Sequence, residues 1–138
     1  MLRIVIDTNV LISSLLGLGP SASILEFWRD KKFLLITSID LIIELTRTLK
    51  RSKITIRVLE SDSKALIRAL EKKAIIINPA IKIEVCRDPH DNKVLECAVA
   101  GEADCIVTGD EDLQILNPFR SVEIISPRDF VKRIKENT

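Results

Sequence analysis

Carboxylates are the side chains of this sequence best placed to do chemistry. Asp7 stands where the apolar run LRIVI would be expected to continue, and Thr8 and Asn9 follow it. The stretch RDPHDNKVLECAVA contributes Asp88 and Asp91, VTGDEDL contributes Asp110 and Asp112, and Glu44 sits inside SIDLIIELTRTL. Each acid has a plain structural reading. Asp7 can cap the next helix, as can Thr8 or Asn9, and D-P-x-D makes a good helix start by itself. Asp91 can be a dipole-favoured acid of a first turn, Asp110 a cap with Asp112 behind it, and Glu44 an ordinary helix-surface residue. Gathered together, the acids mean something else. Three or four carboxylates within a few ångströms repel one another unless a cation neutralises them or some hold protons. Hard oxygen donors select Mg²⁺ or Mn²⁺, which bind substrate phosphates, so such a cluster points to phosphoryl chemistry and above all to two-metal hydrolysis of a phosphodiester.

Other chemistries find little support. His90 is the only histidine, which removes multi-His zinc sites and any Ser-His-Asp triad not built on His90 itself. Cys86, Cys97 and Cys105 are odd in number and form no C-x-x-C pair, so they read as reduced core residues. The Gly17-Leu18-Gly19-Pro20 stretch lacks dinucleotide-binding spacing, and no phosphate-binding G-x-x-x-x-G-K-[ST] loop is present. A formal net charge of +1 gives no global sign of a nucleic-acid partner. Locally, Arg47, Lys50, Arg51, Lys53 and Arg57 form a run without an acid among them, able to grip phosphates. A solvated charged face and a surface for an acidic protein segment are open readings of the same run. Phe27, Trp28 and Phe33 lie together elsewhere and read as core or dimer contact rather than a base-stacking platform.

These acids need a scaffold, and the chain describes one. At 138 residues with 46% hydrophobic content it is long and apolar enough for one compact domain, 1–138, with a real core. No apolar stretch reaches the roughly 18 residues of a membrane span, and Arg3 and Asp7 inside the first segment argue against a signal peptide. A cytoplasmic protein is expected. Strands are expected at 2–6, 33–37, 74–78, 105–108 and 122–126, and helices at 9–16, 21–31, 39–51, 61–73, 91–101 and 128–136. Alternation of this kind predicts a three-layer α/β domain with a mostly parallel sheet, and strands apolar throughout suit a sheet covered on both faces.

In open parallel sheets the ligand crevice lies outside the carboxyl ends of the strands, at the switch point of strand order. Asp7 ends the first strand, and Asp110 follows the fourth after Thr108 and Gly109. With strand order 3-2-1-4-5 the two become neighbours. Helical spacing from Asp91 reaches Leu95 and Ala98, so Asp91 faces inward, with Asp88 along the same side of the helix start. Glu44 falls just outside the buried arc of Leu41, Ile42, Leu45 and Leu49, at the border of buried and exposed surface.

The segments IVIDTNVL, DPHDNKVLECAVAGEADCIVTGDEDL, the Glu in a helix after the second strand and the final short strand resemble those of a PIN domain. The likeness spans about positions 3 to 130, particularly to small prokaryotic PIN proteins that are toxin components of toxin–antitoxin systems. It implies the 3-2-1-4-5 parallel sheet and a Mg²⁺- or Mn²⁺-dependent ribonuclease. By position it implies that Asp7, Glu44, Asp91 and Asp110 are the catalytic, metal-holding quartet, with Asp112 a fifth acid and Asp88 competing with Asp91. Asn9 and Thr108 match the polar residues beside the acids. RNA is the implied substrate, an antitoxin protein and a second copy of the chain the implied partners. Two alternatives accompany this reading: a PIN-like RNA- or protein-binding module without nuclease activity, and a phosphatase with Asp7 as nucleophile. The phosphatase fold usually wants an Asp two residues after the nucleophile, where Asn9 stands.

Overall fold

The structure is a computed structural model describing residues 1–137. Strands β1 (Arg3–Ile6), β2 (Leu34–Ser38), β3 (Ile75–Ile77), β4 (Cys105–Val107) and β5 (Glu123–Ile125) form one sheet in the order β3-β2-β1-β4-β5, every neighbouring pair parallel. The expected order is therefore the observed one. Around the sheet lie α1 (Thr8–Leu15), α2 (Ile24–Arg29), α3 (Ile39–Leu49), α4 (Ser52–Thr55), α5 (Glu60–Lys73), α6 (Pro89–Ala100), α7 (Glu111–Gln114) and α8 (Pro127–Glu136).

Alternation along β1 divides the core in two. Ile4 and Ile6 face one layer, where Leu11, Leu45, Leu70 and an edge-to-face pair of Phe33 and Phe130, ring centroids 5.1 Å apart, fill the space. Val5 faces the other, against Val94, Leu95, Ala98 and Leu113. Both faces of the central strands are thus dry, as their unbroken apolar sequences require. Phe33 belongs to the core, whereas Phe27 and Trp28 pack half-buried against its edge. Among the described residues no single helix is long and apolar enough to cross a membrane.

Boundaries differ from expectation where local chemistry intervenes. The helix expected over 21–31 is a 3₁₀ turn, Gly19–Ser23, with Pro20 as its second residue, followed by α2. The helix expected to reach 51 stops at Leu49, and α4 begins after it as a separate short turn. The helix expected from 91 starts at Pro89, since Asp88 accepts a hydrogen bond from the His90 amide at 3.0 Å and proline has no N–H to satisfy.

Gly101 closes α6 in close contact with the sheet. A Cβ there would lie 2.6 Å from Ile36 Cγ2 and 2.9 Å from the Cys97 carbonyl oxygen. Its own carbonyl accepts hydrogen bonds from Arg3 Nε and Nη2 at 3.1 and 2.7 Å, so the turn cannot back away without breaking them. Gly101→Ala is expected to lower stability by about 1–3 kcal/mol, as overpacking does; urea unfolding followed by circular dichroism measures it, and an unchanged midpoint would show that the contact relaxes freely.

Candidate active site

The sheet order brings the ends of β1 and β4 side by side, with Ile6 opposite Val107 and the Asp7 amide donating to the Val107 carbonyl at 3.0 Å. Asp7 is buried and caps α1, its Oδ1 accepting from the Thr8 amide at 2.8 Å, and its carboxylate also meets His90 and Thr108. Thr108 fixes the other oxygen: its hydroxyl donates to Asp7 Oδ2 at 2.8 Å and accepts from the Asp110 amide at 3.0 Å. A fully buried threonine hydroxyl thereby links the two acids across the strand pair.

Asp110 caps α7, accepting from the Asp112 amide at 2.9 Å, and Asp112 in turn meets Arg87 at 3.1 Å. Asp91, in the first turn of α6, is 2% exposed and faces them. One carboxylate oxygen from each of Asp91, Asp110 and Asp112 lies within 4.8 Å of the others. Asp88 does not join this trio; it remains at the surface as the cap of α6. Glu44 is half-buried across the crevice, 3.3 Å from Arg47. The trio is all hard oxygen, with Asp7 near enough for its charge to act on Asp91, and suits Mg²⁺ or Mn²⁺ rather than a soft-ligand metal.

Electrostatics follow the crowding. Burial pushes the Asp91 carboxyl up to about 7, helped by the charge of Asp110, a hydrogen bond to it, and the charges of Asp7 and Asp88. His90 is also raised. Its hydrogen bond to Asp7, Nε2 to Oδ1 at 3.0 Å, outweighs burial, and the charges of Asp7, Glu44 and Asp91 add to it. Burial raises the Cys86 thiol, and the charges of Asp91, Asp110, Asp112 and Asp88 raise it further, so it stays neutral beside the acids.

A cleft of about 600 Å³ opens beside Asp7, with Asn9 and Glu44 in its lining and Arg47, Arg51 and Lys93 around them. The basic run is therefore divided. Arg47 and Arg51 line this cleft, while Lys50 lines another groove with Thr46, Leu49 and Thr55, and Lys53 and Arg57 are exposed outside both. Sequence reasoning missed Lys93 and, more seriously, His90, whose only signal was its place between Asp88 and Asp91. It also missed the clamp behind them. Asn92 Oδ1 accepts from the amides of Val85 and Cys86 at 3.1 and 2.8 Å, and Glu96 Oε2 accepts from Ile83 at 2.9 Å, tying the segment before α6 to that helix.

Comparison with known proteins agrees with this architecture. A family model described as PIN domain matches residues 3–112. The uncharacterized protein MJ1680 of Methanocaldococcus jannaschii is 30% identical over 98% of this chain and 93% of its own length. The crystal structure of FitAcB from Neisseria gonorrhoeae is similar in fold, with a TM-score of 0.51 and 15% identity, covering 90% of this chain and 97% of that one.

The raised Asp91 carboxyl makes stability depend on pH. Its folded value of about 7 exceeds the ordinary 3.8, so the folded state holds a proton that the unfolded chain releases. In metal-free protein this contribution is present below about pH 4 and is lost as pH rises through 7. Asp91→Asn is expected to raise the metal-free melting temperature at pH 7.5, by roughly 4 °C for each kcal/mol recovered, and to flatten its fall between pH 4 and 7. Differential scanning calorimetry in chelator decides; a lower melting temperature for the variant would mean that the carboxylate stabilises the fold.

Proposed function

The chain belongs to the PIN-domain family, and on that premise we propose that it is a Mg²⁺- or Mn²⁺-dependent endoribonuclease acting as the toxin of a toxin–antitoxin pair. PIN domains are generally nucleases and typically use divalent metals. One observation carries the reading for this chain: a buried carboxyl, Asp91, is crowded against Asp110 and Asp112 at the carboxyl ends of the strands, an arrangement that costs stability unless a cation enters. In this reading Asp7, Glu44, Asp91 and Asp110 are the catalytic acids that hold the ion or ions. Asp112 adds a further oxygen, and Asp88, the cap of α6, lines the cleft without joining the trio. A bound divalent ion supplies charge neutralisation at the phosphate and activation of water toward phosphorus.

The chain's own residues supply the rest. Thr108 orients the Asp7 carboxylate, and Asn9 is at the cleft to order water or a phosphate oxygen. Arg47 and Arg51, one helical turn apart on and just beyond α3, meet backbone phosphates. Lys93 stands across from them, partly neutralised by Asp40 at 3.7 Å and Glu96 at 3.5 Å. Lys50, Lys53 and Arg57 fall outside this path.

Labelled RNAs and single-stranded DNAs, incubated with wild type and Asp7→Asn in Mg²⁺, Mn²⁺ or chelator, test the proposal. Cleavage should need metal, prefer RNA and fall at least about 100-fold in the variant, with melting temperature and circular dichroism showing an intact fold. Undiminished cleavage by Asp7→Asn would rule the mechanism out, and a wild type that binds RNA but no metal would establish the non-catalytic binding module. In chelator, Arg51→Ala should weaken binding of a labelled RNA and reduce the salt slope by about 0.7, the value of one single-strand phosphate contact. Lys50→Ala is the matched control, and equal effects of the two would erase the distinction between the grooves.

A further inference from the structure

We infer that His90 is a positioning residue for Asp7, fixing that carboxylate so that only its Oδ2 remains open to a divalent ion. This rests on the metal-site reading above. A carboxylate has about four lone-pair directions. On Asp7, Oδ1 accepts from the Thr8 amide at 2.8 Å and from His90 Nε2 at 3.0 Å, which fills it. Oδ2 accepts from the Thr108 hydroxyl at 2.8 Å and keeps one direction free. A carboxylate in this state only accepts, so Nε2 carries the proton.

The three donors differ in origin. Thr8 follows Asp7 directly and Thr108 follows β4, so both are fixed by the sheet itself. His90 arrives from α6, and the next residue of that helix is Asp91. Its hydrogen bond ties the acid at the end of β1 to the helix bearing the buried acid, setting the separation between two groups that would otherwise repel. The ring is well packed for this, with 22% of its side chain exposed at the cleft. Because Nε2 is engaged with Asp7, His90 acts through that residue rather than on substrate.

Outer-shell partners of metal-holding carboxylates typically contribute 10- to 100-fold in metal affinity. Mn²⁺ titration of the full chain, followed by electron paramagnetic resonance, is the direct readout. His90→Ala should weaken Mn²⁺ binding about 10-fold or more, and His90→Phe, which keeps ring volume without the donor, should weaken it equally. His90→Gln, which restores an N–H donor, should recover most of the loss. Far-UV circular dichroism and metal-free melting confirm the fold, and if the Ala variant does not fold, the contrast between Phe and Gln carries the test. Mn²⁺ affinity within twofold of wild type in the Phe variant, tighter binding in either donorless variant, or no recovery with Gln would overturn the inference while leaving the metal site intact. A wild type that binds no Mn²⁺ would overturn both.

Discussion

Negative charge concentrated at the carboxyl ends of β1 and β4 is the constraint around which the rest of the molecule is arranged. Coulomb repulsion among carboxylates this close is severe away from bulk water, and each acid is answered separately. Asp7 receives Thr8, Thr108 and His90; Asp110 accepts the Asp112 amide; Asp112 has Arg87, and Glu44 has Arg47. Asp91, the most deeply buried of them, holds a proton up to about pH 7 instead. The site is thus tolerable without metal, and in the proposed reading a divalent cation would take the place of that proton.

Holding the acids in this state requires rigid supports, and these come from residues with no place in the chemistry. Parallel pairing of β1 with β4 sets Asp7 beside Thr108, and the Thr108 hydroxyl turns that proximity into a fixed geometry. On the other side α6 has to bring Asp91 in from the layer opposite α1. Its approach to the sheet is set by Gly101, where no side chain larger than hydrogen fits, and by the hold of Asn92 and Glu96 on the preceding segment. The helix is gripped at both ends, and Asp91 and His90 inherit their positions from that grip.

The cleft beside Asp7 carries both signs of charge, with Asp40, Glu44 and Asp88 in its lining alongside Arg47, Arg51 and Lys93. The basic run divides where α3 ends: Arg47, in its last turn, and Arg51, beyond it, line this cleft, whereas Lys50, its C-cap, lines the groove against α5. A run of like charge in sequence becomes two surfaces in space.

Much of this was determined by the sequence alone. Unbroken apolar strands alternating with amphipathic segments required a doubly covered parallel sheet, because no other arrangement buries both faces of such strands. The same reading placed Asp7 and Asp110 at strand ends and Asp91 on the inward side of its helix, since period and position are local properties. What the sequence could not determine was which local roles would converge. Asp88 and Asp91 looked alike from three residues' distance, yet one became a surface cap and the other the buried centre of the cluster, because Asp88 precedes α6 and is held by the His90 amide whereas Asp91 is buried in the helix's first turn. His90 appeared to be an isolated histidine until the sheet brought Asp7 within 3.0 Å of it, across 83 positions of chain. Contacts of that span carry no periodic signature. They exist only because tertiary packing has already fixed the strand order and the seat of α6.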